Sequence, residues 1–210
     1  MATVVIPYEQ RLNENRRWAL MEGSMHFEKE SAVHTSLQRI AKRLNDLGVP
    51  YAVVGGMAMF LHGYRRFTED VDILVTRDGL KTIHEKLEGL GYLPPFAGSK
   101  NLRDTDSGVR IEFLIAGGYP GDGLPKPVSF PDPDSVFIEQ DGIRVVNLPT
   151  LVQLKLASGT APGRRKDLGD VQEVIRILRL TESLADQLDA SVRGMYLQLW
   201  REVQMAPSDE

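Results

Sequence analysis

The chain contains no cysteine, so neither a disulfide framework nor a thiolate metal site is available to it, and nothing in its composition calls for an oxidising compartment. It also lacks a long apolar run. No stretch approaches the roughly 18 residues that a membrane span needs, and the N-terminus shows no apolar segment behind a basic start. The expected setting is therefore soluble and cytoplasmic, away from any membrane. A basic excess is missing as well: 25 Lys and Arg stand against 29 Asp and Glu, a net charge of -4. That balance argues against a broad nucleic-acid surface, and any contact with RNA has to come from a local basic patch. Aromatic residues make up only 7% and form no base-stacking platform. What remains is ample core material, 42% hydrophobic over 210 residues, enough for one sizeable domain with a helical appendage.

Periodicity lays out the elements. Residues 1–30 show no sustained period and read as an irregular lead-in with room for part of it to be helical. From Ser31 to Leu47, Val33, Leu37, Ile40, Leu44 and Leu47 recur at helical spacing, and Gly48 with Pro50 stops the run. Tyr51–Val54 is a short buried strand, followed by Gly55-Gly56 and an apolar helix from Met57 to His62. Asp70–Thr76 alternates, with Val71, Ile73 and Val75 on one face and Asp70, Asp72 and Leu74 on the other. Asp78 is the expected cap of a helix running to Leu90. Val109–Ile115 alternates again, placing Arg110, Glu112 and Leu114 on its minority face.

A Gly- and Pro-rich stretch, Gly117 to Asp134, is unusually long for a loop in a compact domain, and such loops are often functional. A strand from Ile143 to Asn147 follows it, then helices over Thr150–Ala157, Lys166–Leu178 and Glu182–Val203. The order predicts an α+β fold: a small mixed sheet with flanking helices over residues 31–148, then a helical C-terminal part over 149–210.

Aspartate is a poor strand former, so Asp70 and Asp72 inside an apolar strand need an explanation. Residues i and i+2 project from one face about 6.5 to 7 Å apart, from which two carboxylates can converge on shared cations. Phosphoryl transfer with two metal ions uses such an arrangement, with the ions about 3.5 to 4 Å apart. Glu112 is the best third carboxylate, with Asp104 and Asp106 in reserve. Magnesium suits an all-oxygen set completed by water and phosphate, and manganese is its natural substitute. The paired glycines add a tight turn through which backbone can approach an anion such as a triphosphate.

Val54-Gly55-Gly56, thirteen residues, then Asp70-Val71-Asp72-Ile73 resembles the signature of the DNA polymerase beta-like nucleotidyltransferase superfamily. Downstream, "LPTLVQLKLASG" followed by "RRKDLGDV" is similar to the C-terminal pattern of bacterial AbiEii toxin-type nucleotidyltransferases. Lys155, Arg164, Lys166, Asp167 and Asp170 hold its polar positions. The matches span roughly residues 50 to 178.

The resemblance implies a magnesium-dependent enzyme that moves a nucleoside monophosphate from a nucleoside triphosphate such as ATP to a hydroxyl of a protein, an RNA end or a small molecule. Asp70, Asp72 and Glu112 are then ligands of two magnesium ions, with Glu112 also the base for the acceptor hydroxyl. In the family an aspartate more often stands at the third position. Gly55 and Gly56 form the triphosphate turn, Lys155 and Arg164 neutralise phosphate charge, and Lys166, Asp167 and Asp170 belong to the nucleotide-binding set. It also implies a toxin or defence module with a cognate antitoxin protein. The residues admit plainer roles too. Lys155 can extend to solvent, and Asp167 and Asp170 can cap and salt-bridge their helix. The alternative for the whole chain is a silent protein of the same fold that binds a nucleotide or a partner without turnover. The four histidines, His26, His34, His62 and His84, show no ligand spacing and carry no assigned role.

Overall fold

The computed structural model describes residues 5–205. The described part of the lead-in is more helical than its sequence suggests, with α1 over Tyr8–Glu14 and α2 over Arg16–Phe27. Their low polarity contrast hides them from a periodicity search, but contacts with distant residues hold them. Tyr8 is fully buried, its backbone N–H reaches the Gly108 carbonyl at 3.0 Å, and its hydroxyl donates to Glu22 at 3.0 Å. Glu9 meets the Arg103 guanidinium at 2.8 Å.

Helix α3, Ala32–Asp46, begins at a Ser31 cap that accepts the His34 N–H. It buries Val33, Leu37, Ile40, Ala41 and Leu44 along one stripe and ends at Gly48 with φ +64°. Strand β1, Tyr51–Val54, is wholly buried and runs straight into the short helix α4, Gly55–Leu61. Strand β2 is Asp70–Val75. Helix α5, Arg77–Leu87, is capped by Thr76, which accepts the Gly79 N–H at 3.0 Å; Asp78, the expected cap, instead sits in its first turn. Short strands β3 (Tyr92–Leu93) and β4 (Leu102–Asp104) lead to β5 (Arg110–Ile115). A single 3-10 turn over Pro133–Ser135 follows, then β6 (Phe137–Gln140) and β7 (Ile143–Val146).

All seven strands form one mixed sheet in the order β3-β4-β5-β2-β1-β7-β6. Pairing is parallel between β2 and β5 and between β1 and β7, and antiparallel between β1 and β2. Val71, Ile73, Val75, Ile111 and Phe113 have no exposed surface, which is why the alternation in β2 and β5 predicts their inward face correctly. Helices α3 and α4 pack on the central strands and α5 on β5. The C-terminal layer comprises α6 (Leu148–Gly159), α7 (Arg165–Leu178) and α8 (Ala190–Met205), packed on one another and joined to the sheet through α4. The final segment is not one helix. A 3-10 stretch, Glu182–Gln187, gives way to extended Leu188, and Asp189 restarts the chain by accepting the Ser191 N–H at 2.8 Å. No described helix is long and apolar enough to cross a membrane.

Candidate active site

The turn between β1 and α4 lies directly over β2, because Val54 is the register partner of Asp72. Gly55 adopts φ +64°, a left-handed conformation in which side chains are strained, and a Cβ added there would overlap the Asp72 carboxylate. A Cβ on Gly56 would come within 2.7 Å of Thr68 Oγ1. The two glycines thus let the backbone close down on Asp72 and Thr68.

Pairing of β2 with β5 places Asp72 beside Glu112 and Asp70 beside Arg110. Oxygens of Asp70, Asp72 and Glu112 all lie within 4.8 Å of one another. Thr68 Oγ1 donates to Asp70 Oδ1 at 2.9 Å and orients it. Burial, and then the charges of Asp70 and Glu112, push the Asp72 carboxyl up to about 7. A cation is the chemical remedy for such a set: the donors are all hard oxygens, and opposite ligands of an octahedral magnesium stand about 4.2 Å apart. The three carboxylates therefore fit a divalent metal. Asp104, held in reserve by the sequence, is turned away and engaged by Ser36 at 2.9 Å and Arg39 at 3.0 Å.

Lys155 and the α7 residues form a second network against the first. Lys155 Nζ donates to Asp167 Oδ1 at 2.6 Å and to Asp170 Oδ2 at 2.7 Å. Asp167 also accepts from Ser158 Oγ at 2.7 Å and from Arg164 Nε at 2.9 Å, while Asp170 pairs with Arg66 at 3.1 Å. Burial alone would raise the Asp167 carboxyl, but the Lys155 charge, the hydrogen bonds from Lys155 and Ser158, and Arg164 hold it below its ordinary value. These ion pairs clamp α6 to α7 and carry Lys155 and Arg164 to the edge of the carboxylate cluster.

Two chambers meet at that cluster and share Asp72, Glu112, Lys155, Arg164 and Asp167. The larger, about 530 Å³, has Gly55 in its wall together with apolar Leu114, Leu151, Leu154 and Phe130. The smaller, about 270 Å³, carries Gly56 and five cations: Arg66, Arg110, Lys155, Arg164 and Lys166. The long Gly/Pro segment is the outer wall of the larger chamber. It is pinned there, with Gly117 N–H to the Phe130 carbonyl and Phe130 N–H to the Gly118 carbonyl, each at 2.8 Å. Lys126 Nζ ties the Pro120 carbonyl and Asp122, both at 2.7 Å.

Each residue that the resemblance assigns to the site lines one or both chambers except Asp170, which touches them through Lys155 and Arg66; the reserve carboxylates Asp104 and Asp106 line neither and pair with Arg39. Sequence reasoning missed Arg110, Thr68 and Ser158. Arg110 had a signal, its position two residues before Glu112 in an alternating strand, and Thr68 likewise stands two residues before Asp70; Ser158 depends on the packing of α7 against α6, which brings Asp167 to it.

The mixed sheet, the turn after β1 and the carboxylates on paired central strands together define a nucleotidyltransferase fold. The antibiotic-resistance factor ANT(2'')-Ia shares it with a TM-score of 0.52 and 14% identity, over 82% of this chain and 97% of that one. Looser likenesses are the complex of ANT(2'')-Ia with adenylyl-2''-tobramycin, at 0.49 and 12% over 80% and 96% of the two chains, and an antigenic nucleotidyltransferase-like protein from Paracoccidioides brasiliensis. That last match has a TM-score of 0.49 and 18% identity, over 82% of this chain and 88% of the other. The chain matches no protein-family model and no curated protein.

Proposed function

We propose that the protein is a magnesium-dependent nucleotidyltransferase that moves a nucleoside monophosphate from a nucleoside triphosphate to an acceptor hydroxyl. The observation that carries this reading is the convergence of Asp70, Asp72 and Glu112 beneath the Gly55 turn, at the junction of a strongly cationic chamber with a larger, partly apolar one. Bound to the three carboxylates, magnesium supplies charge stabilisation to the attacking and leaving oxygens of the displacement.

The chain's own residues divide the remaining work. The cations of the smaller chamber hold the β- and γ-phosphates, where charge grows as pyrophosphate leaves. In-line displacement puts the attacking hydroxyl on the opposite side of the α-phosphorus, which is the larger chamber. Glu112, which lines both chambers, takes the hydroxyl proton in this reading as the oxygen–phosphorus bond forms and the bond to the bridging oxygen breaks. A volume of about 530 Å³ falls in the range of small-molecule pockets, so a small-molecule acceptor is the reading that the wall supports best. Toxin activity and an antitoxin partner rest on the sequence resemblance alone.

The test is pyrophosphate release from each of the four nucleoside triphosphates with magnesium and a cell extract as the source of acceptors, wild type beside Asp70→Asn. Release by the wild type, abolished in the variant, is expected. Tight magnesium-dependent nucleotide binding with no release under any condition would refute it in favour of a silent binding protein.

A further inference from the structure

Arg110 stands opposite Asp70 in the parallel register and shares a strand face with Glu112. Its Nη2 lies 3.2 Å from Asp70 Oδ2 and 2.9 Å from Glu112 Oε1, so a single guanidinium spans two of the three carboxylates. Asp72 lies outside this pairing. The Arg110 side chain is 42% exposed, so packing does not confine it, and it lines the cationic chamber. A guanidinium is always charged, and its planar fork suits carboxylates and phosphates equally.

We propose that Arg110 is an exchangeable counter-ion. In the free protein it neutralises Asp70 and Glu112, and when a divalent cation and a triphosphate enter together it transfers to phosphate oxygens in the smaller chamber. This inference rests on the reading that the carboxylates hold cations. Its neighbours are less free to do the same: Lys155 is committed to Asp167 and Asp170, and Arg66 to Asp170. A cation arriving alone must displace the guanidinium and leave it unpaired. A cation arriving with triphosphate provides it with a new partner. Cation and nucleotide affinities are then coupled through one side chain, and the coupling is reciprocal.

The experiment titrates Mn2+ without nucleotide, following free Mn2+ by electron paramagnetic resonance, into wild type, Arg110→Ala, Arg110→Gln and Arg66→Gln. Arg110→Gln keeps a polar side chain of similar reach should the alanine variant disturb the strand. Arg66→Gln removes one charge from the same chamber without freeing an oxygen of the cluster. Both Arg110 variants are expected to bind Mn2+ roughly tenfold tighter than wild type, and Arg66→Gln less than about threefold tighter. With saturating Mn2+ present, ATP should bind the Arg110 variants roughly tenfold more weakly than wild type, because the phosphates lose the guanidinium that the cation releases, and equal ATP affinity there overturns the transfer. Mn2+ affinity unchanged in the Arg110 variants, or raised equally in Arg66→Gln, overturns the exchange and leaves the proposed function standing. If no protein binds Mn2+ with or without ATP, the proposed function fails and the exchange fails with it.

Discussion

Replacing Asp72 by asparagine separates stability from cation binding in opposite directions. Asp72 is half-buried, and Arg110 pairs with Asp70 and Glu112 but not with it. Its oxygens lie within 4.8 Å of two other carboxylates, a distance at which like charges repel by about 3.5 kcal/mol each at an effective dielectric of 20. Attraction to Lys155 and Arg110 offsets part of that, and solvent screens more, leaving about 1 to 2 kcal/mol of net strain in the cation-free protein. Asp72→Asn is nearly isosteric and removes the charge, so in EDTA it should be more stable than wild type by about that amount. Added magnesium should reverse the ranking. A ligand at one hundred times its dissociation constant stabilises by about 2.7 kcal/mol, and only the wild type keeps the full ligand set. Urea denaturation at pH 8, in EDTA and in magnesium, reads both terms. An asparagine variant that is less stable in EDTA and gains as much from magnesium as wild type would refute the repulsion and the cation assignment together.

Gly55→Ala should lose about 1 to 3 kcal/mol, from a non-glycine residue at φ +64° and a Cβ that displaces Asp72, and the thermal shift produced by magnesium should shrink with it; full stability and an intact shift would show that the turn has room. Lys155→Met should destabilise by about 3 kcal/mol, because it strands Asp167 and Asp170 with only Arg164 and Arg66 for charge partners. A urea midpoint within error of wild type would dismiss the clamp. His34 is buried against His26, and burial, then the charges of His26 and Lys29, lower it to about 4 from an ordinary 6.5. Below pH 6.5 the unfolded chain therefore takes up a proton that the folded chain refuses, so His34 should cost about 2 kcal/mol of stability between pH 7 and 5. His34→Gln should flatten that part of the urea-midpoint profile, and an identical slope in the variant would exclude His34 as its source.

Local chemistry decided much of this in advance. The alternation of β2 and β5, the stripe of α3 and the glycine after β1 are each written in a few adjacent residues, because period and turn conformation are local properties. Asp70 and Asp72 stand out for the same reason, as carboxylates in a strand that has no local use for them. Even the hairpin between β6 and β7 had a local mark that the sequence reading passed over: Asp141 and Gly142, both at positive φ. The helices of the lead-in lacked such a mark, since Tyr8 and Glu9 earn their order from Gly108 and Arg103, about a hundred residues on.

The sequence by itself therefore determined which side chains are the candidates for chemistry: three carboxylates, paired glycines and a basic segment after α6. Only the tertiary structure decided what each one faces. Parallel pairing of β2 with β5 set Glu112 beside Asp72 and Arg110 beside Asp70, and the packing of α7 on α6 turned Lys155 toward Asp167 and Asp170. Strand register and helix packing are settled by burying whole faces at once, so no stretch of neighbouring residues encodes them.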